Sequence, residues 1–362
     1  MRTLRPTRRA ALLSAAALLG GCGSLDDIFG ERKRPLPGER RSVLRSDPAL
    51  APDGGADGRA IELPPAAPVA EWPQAGGQAN HAPGNVALGP QPRLAWRSSI
   101  GSGTAYRQRI TAGPVIADGR IYAVDAGGTV SAHALENGSR LWRTDTSRED
   151  ESAGDLGGGA AFAEGVLYVA TGLGDMLALS AETGRIAWRV ALPAPTRGAP
   201  TVAGGRIFIA TTENQLLALS VEDGRRLWAH RGATLSTLPL GLPAPAVEGE
   251  AVVVGFGTGE ISALRTTDGR VLWGESLGSI ANVSLADFVG ITGQPVIDRG
   301  MAIAVSLGRT TIAIDLRSGR RLWERPFGGG NGVAAAGDWV FAVSGAGDAL
   351  ALGREDGRIR WV

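Results

Sequence analysis

The chain has one cysteine in 362 residues, which excludes a disulfide within it, and its three histidines are scattered, so no cysteine/histidine cluster with metal-ligand spacing is present. Past Leu19 no apolar run approaches the ~20 residues that cross a bilayer as a helix, so nothing in the body of the sequence reads as a membrane span. The formal charge is only +1, and four of the 37 basic residues lie at the extreme N terminus, so the remainder is slightly acidic and carries no nucleic-acid signature. HExxH and Walker loops are both missing. Glycine-rich stretches at 157–165 and 327–332 open strand-like segments, and no helix start follows them to hold a phosphate.

Against these absences the N terminus is distinctive. Arg2, Arg5, Arg8 and Arg9 precede an apolar stretch, 10–19, too short for a mature span, and the pattern is that of a signal peptide. The single thiol follows at once, in "ALLGGCGS". Leu19-Gly20-Gly21-Cys22 resembles the lipobox of bacterial lipoproteins, which implies cleavage before Cys22 and lipidation of its sulfur; Gly23, where an aspartate would favour the inner membrane, points to the outer one. More than one acyl chain is enough for stable anchoring, at about 0.8 kcal/mol per buried methylene. Residues 1–21 are thus expected to be the signal peptide, and 22–70, rich in Pro, Gly and charge, a lipidated cysteine and flexible linker. Ordered structure is expected over 71–362.

That region repeats itself. Six glycine–tryptophan pairs share one four-residue spacing: Gly138 and Trp142, Gly184 and Trp188, Gly224 and Trp228, Gly269 and Trp273, Gly319 and Trp323, Gly357 and Trp361. A turn former precedes each glycine: Asn137, Thr183, Asp223, Asp268, Ser318 or Asp356. Such pairs favour the positive φ angles of two-residue hairpins. Short apolar segments such as "DMLALS" and "TTIAID" lie before each turn, and two more lie further upstream, split by Asp-Gly or Gly-Gly. Each unit therefore holds four strands. Tryptophan intervals of 46, 40, 45, 50 and 38 residues suit the blades of a β-propeller, and 54 glycines with β-branched runs oppose helix. Complete units are expected near 110–147, 158–192, 198–233, 243–277, 292–327 and 331–362. "PRLAWRSSIG" (92–101) repeats only a last strand, with Trp96 at the tryptophan's place. The tryptophans, at equal repeat positions, are expected to pack between blades rather than to stack on a ligand.

The repeat, best seen in "GDMLALSAETGRIAW" and "GEISALRTTDGRVLW", resembles the PQQ-like propeller repeat. With the lipobox, the linker and the lead-in "EWPQAGGQANHAPGN" (71–85), the chain resembles the BamB family of lipoproteins of the outer-membrane β-barrel assembly (BAM) complex. The resemblance implies an all-β propeller of eight four-stranded blades, six of them visible here and the ring incomplete at the C terminus. It also implies a non-enzymatic scaffold without cofactor, held by its lipid at the periplasmic face of the outer membrane, with the POTRA domains of BamA and other BAM members as partners. Members dock BamA through a Leu-Arg loop element and an acidic element two blades on. Repeat alignment places Arg197, in "PAPTRGAPT", on the arginine, with Ala194 and Thr196 where leucines are expected, and Asp287, in "VSLADFVGITGQP", near the acidic element. Two alternatives remain open. One is a PQQ-dependent quinoprotein dehydrogenase, whose adjacent cysteine pair the chain lacks; the other is a periplasmic propeller binding a different envelope partner.

Overall fold

A computed structural model describes residues 49–54, 60–104, 110–148, 157–234, 241–277 and 289–362. Its regular structure is six four-stranded antiparallel sheets, each a meander in chain order. The sheets cover 115–144, 158–191, 201–231, 246–276, 296–325 and 334–361, here called blades 1 to 6. The six expected units are therefore present at the expected places, and no helix occurs among the described residues.

In blade 2 the strands are Gly158–Ala163, Val166–Thr171, Asp175–Ser180 and Ile186–Ala191. The two middle strands are almost wholly buried and read as continuous apolar runs, because this blade packs a neighbour on both faces. The five apolar clusters accordingly straddle consecutive blades. Tyr122 and Val130 of blade 1 pack with Leu167 and Leu177 of blade 2, and Ile303 and Trp323 of blade 5 pack with Val340 and Leu352 of blade 6. The fourth strand of each blade is the exposed outer one.

The repeat's tryptophans explain how one blade finds the next. Each indole stands opposite a small residue of the third strand (Ala132, Ala178, Ala218, Ala263, Ala313 or Ala351), and a bulge follows immediately. The indole N–H then reaches across to the following blade. Trp142 donates to the Ala181 carbonyl at 2.9 Å, Trp188 to Val221 at 3.3 Å, Trp228 to Thr266 at 3.0 Å, Trp273 to Leu316 at 2.7 Å and Trp323 to Arg354 at 2.8 Å. The repeat glycine of that following blade lies against the ring: a Cβ on Gly184 would sit 2.5 Å from Trp142, and one on Gly357 2.6 Å from Trp323. The spacing legible in the sequence thus joins two blades: the glycine of one unit makes room for the tryptophan of the unit before.

The turns differ from the two-residue hairpins expected at these glycines. Gly184 donates to the Ser180 carbonyl and Ser180 to the Arg185 carbonyl, which closes a longer turn with only the glycine at positive φ (72°). The preceding turn former keeps ordinary φ, and its side-chain oxygen accepts the N–H two residues on, as in Asp223 with Arg225 and Asp268 with Arg270. Two-residue turns with both φ positive occur instead between first and second strands, at Asp118-Gly119, Glu164-Gly165, Gly204-Gly205 and Arg299-Gly300.

Two further expectations are corrected. Residues 92–100 form no paired strand, yet Trp96 fills the tryptophan's place on blade 1, donating to the Leu135 carbonyl at 3.0 Å over Gly138. The segment that packs on the blades also begins before residue 71. Asp53 exchanges two hydrogen bonds with Ile359, and the Glu62 carbonyl accepts the Trp339 indole at 3.0 Å.

Candidate functional site

An antiparallel meander sorts its connections onto two faces. Tight turns between first and second strands and the tryptophan turns lie on one face; the loops from second to third strands and from each fourth strand to the next blade lie on the other. Arg197 sits in such an inter-blade loop, between blades 2 and 3. Its backbone is pinned. The Leu242 N–H donates to the Arg197 carbonyl at 3.3 Å, Thr212 donates to the Pro195 carbonyl, and the Thr196 hydroxyl donates to the Thr171 carbonyl. A Cβ on Gly157 would lie 2.7 Å from the Arg197 Cα, so the end of the preceding inter-blade loop presses on it as well. Ala194 and Thr196, standing where leucines were expected, are buried against the blades, while Arg197 itself is half-buried.

Close by, Asp175 is fully buried at the start of its strand and held by Arg148 and by Arg189, the latter at 3.2 Å. Its N–H donates to the hydroxyl of Thr171, the residue whose carbonyl receives Thr196. Asp287 lies outside the described residues, as does Cys22. The arm leaving the Asp287 loop is fixed: Ile291 donates to the Phe256 carbonyl and Leu307 to the Gly290 carbonyl. Of the tryptophans, Trp273 and Trp323 are buried, Trp96, Trp142, Trp188 and Trp228 are half-buried, and Trp361 is 41% exposed.

Sequence reasoning did not foresee the role of the lead-in. Residues 72–81 cross the inner strands of five consecutive blades. Trp72 exchanges two backbone hydrogen bonds with Ile116 of blade 1, and Phe162 of blade 2 donates to the Pro73 carbonyl. Val202 of blade 3 donates to the Gln74 side chain at 2.9 Å. Val247 of blade 4 and Ile297 of blade 5 donate to the carbonyls of Ala79 and Asn80. These five residues hold the same place, the middle of the first strand or its equivalent, so one inward backbone N–H per blade is satisfied by a single segment. We call it the plug.

His81 ends the plug at 4% exposure with φ of 60°. Its Nδ1 lies 2.7 Å from the Pro295 carbonyl; a carbonyl only accepts, so Nδ1 carries the proton. Burial outweighs that bond and lowers the pKa from 6.5 to about 4, leaving the ring neutral at physiological pH. Nε2 is then a bare, buried acceptor with no partner among the described residues. His81 is also among the residues that line a cavity of about 450 Å³, with Trp72, Thr111, Thr292, Gln294 and Asn331.

Comparison with known proteins matches the repeat region. The family described as outer membrane protein assembly factor BamB matches residues 126–362. BamB of Xanthomonas campestris is 32% identical over 276 residues, which cover 74% of this chain and 66% of that protein. BamB of Alteromonas naphthalenivorans is 30% identical, covering 70% and 63%, and that of Escherichia coli is 28% identical, covering 75% and 70%. The chain thus spans just under two thirds of the length of the first two. Among solved structures, BamB from Moraxella catarrhalis superposes with a TM-score of 0.62 at 23% identity, over 73% of this chain and 78% of that one. A europium-containing methanol dehydrogenase gives 0.58 at 16%, over 71% and 58%. These two likenesses show the propeller fold, whereas the sequence matches carry the family assignment: this chain belongs to the BamB family of outer membrane protein assembly factors.

Proposed function

We propose that the protein is a non-enzymatic scaffold of outer-membrane protein assembly, tethered by a lipid on Cys22 to the periplasmic face of the outer membrane and docking the POTRA domains of BamA through its inter-blade loops. The observation that supports this reading is the family match over 126–362, combined with a loop whose backbone is clamped from both neighbouring blades and presents Arg197. A docking loop held rigid before binding loses little entropy when a partner arrives. Asp287, on the loop two blades on, would supply the acidic half of the contact.

The quinoprotein alternative draws less support. The plug occupies the inner strands of five blades, four through its backbone and blade 3 through the Gln74 side chain, where a channel-bound cofactor would otherwise meet them, and among the described residues no lysine or arginine lines the cavity beside it to face a polycarboxylate quinone. Affinity purification from mildly solubilised envelopes tests the proposal. BamA and its associated lipoproteins are expected to co-purify; recovery without BamA, together with PQQ-dependent dye reduction by the purified protein, would overturn it.

A further inference from the structure

Asp175 is fully buried and yet carries two ion pairs. It begins the third strand of blade 2, at the end of the turn 171–175, and its side chain is 0% exposed. Arg148 donates to it as a fork, Nε to Oδ2 at 3.0 Å and Nη2 to Oδ1, and Arg189 of the outer strand donates from Nη1 at 3.2 Å. A propeller blade does not need a charge at this place. The corresponding residues of blades 1, 3 and 5 are Thr129, Gln215 and Thr310, while Glu260 and Asp348 in blades 4 and 6 are half-buried. Taking a carboxylate and its guanidinium partners out of water costs about as much as their attraction returns, so a neutral residue serves stability as well. The network is explained by what it holds in place.

Its partners surround the Arg197 loop. Arg189 lies on the strand Ile186–Ala191, which runs directly into that loop, and Arg148 lies on the arm by which the chain leaves blade 1. The turn 171–175 touches the loop along its length. The Leu192 N–H donates to the Gly174 carbonyl at 2.7 Å, the Thr196 hydroxyl donates to the Thr171 carbonyl at 3.4 Å, and a Cβ on Gly174 would lie 3.4 Å from the Pro195 nitrogen. The Asp175 N–H closes the turn on the Thr171 hydroxyl at 3.1 Å. We propose that Asp175 is a positioning residue for the Arg197 loop, its buried carboxylate tying the strand that feeds the loop, the turn 171–175 and the arm of Arg148 into one rigid support. A fully paired polar network in a low-dielectric interior is stiff, and a side chain held in one place before docking loses less entropy when a partner binds. The proposal rests on the reading of the Arg197 loop as a docking site.

The test uses the whole chain. Cys22→Ser with Arg197→Cys leaves a single thiol for a nitroxide label, whose spectral line shape reports how firmly position 197 is held with no partner present. Unlabelled protein that keeps Arg197 is used in parallel to capture POTRA domains. Asp175→Asn preserves the side chain's shape and removes its charge; it is expected to narrow the label's spectrum and to weaken capture about tenfold or more. Arg354→Met is the control for lost stability. Arg354 is 8% exposed and paired with Asp298 at 2.9 Å between blades 5 and 6, at turns of the opposite face, so its loss is expected to lower the melting temperature while the label's spectrum and capture stay as in the parent. An unchanged spectrum in Asp175→Asn overturns the proposal, as does a spectrum that Arg354→Met alters equally. Full capture by Asp175→Asn where Arg197→Glu loses it also overturns the proposal. Full capture by Arg197→Glu instead removes the docking reading, and the label then decides the positioning role by itself.

Discussion

Replacing Trp323 by alanine probes the joint that repeats around the propeller. The indole is 7% exposed, packs in the cluster containing Phe327, Val340 and Ile359, donates to the Arg354 carbonyl at 2.8 Å and covers Gly357. Emptying a buried site of this size costs about 3–5 kcal/mol. Trp361 occupies the same repeat position in blade 6 but is 41% exposed, with the Phe341 ring at 6.4 Å; its removal is expected to cost about 1 kcal/mol or less. Urea unfolding followed by circular dichroism compares the two. The partner glycine closes the cycle. Gly357→Ala alone combines strain at a φ of 63° with a contact 2.6 Å from the ring, whereas in a Trp323→Ala background only the strain of about 1 kcal/mol remains, so the two losses should fall short of additivity. Equal effects at Trp323 and Trp361, or additive losses at Trp323 and Gly357, would refute the joint.

Cys22→Ser is expected to leave a folded protein that no longer incorporates a clickable fatty acid; label retained in the mutant, with the protein still in the membrane pellet, would dismiss the lipobox. His81 gives a pH prediction. Its pKa is lowered on folding from 6.5 to about 4, so the unfolded chain binds the proton more readily, and the stability that neutral His81 supplies is complete above pH 6.5. It is lost as pH falls from there to 4, by at most about 3 kcal/mol. Denaturant midpoints of the wild type should therefore fall more steeply over that window than those of His81→Gln, and parallel curves would contradict the assignment.

The blades were legible in the sequence because their signals are local. Turn glycines such as Gly184, alternatives such as Asp223 and Asp268 before them, and apolar strand runs all act within a few residues of one another. The tryptophan spacing was legible too, although its meaning crosses units: Gly357 serves Trp323, not Trp361. The turn type was misjudged because the Asx side chain closes a longer loop with a single left-handed glycine. The plug had no periodicity to betray it. Its bonds join Gln74 to Val202 and Asn80 to Ile297, across more than a hundred residues and mostly through backbone atoms that no side-chain pattern encodes. Arg197 was placed by repeat alignment alone, and the burial of Ala194 and Thr196 gives those two positions a packing role in place of the expected leucine contacts.

The proposal that this propeller docks BamA through its inter-blade loops is tested most directly by charge reversal in a POTRA pull-down. Arg197→Glu combined with Asp287→Arg places repulsion where opposite potentials should meet, while surface charge changes move stability by under about 0.5 kcal/mol. The account predicts a marked loss of captured POTRA domains at nearly unchanged melting temperature. Full capture by the double variant would contradict it and place the contact surface elsewhere on the chain.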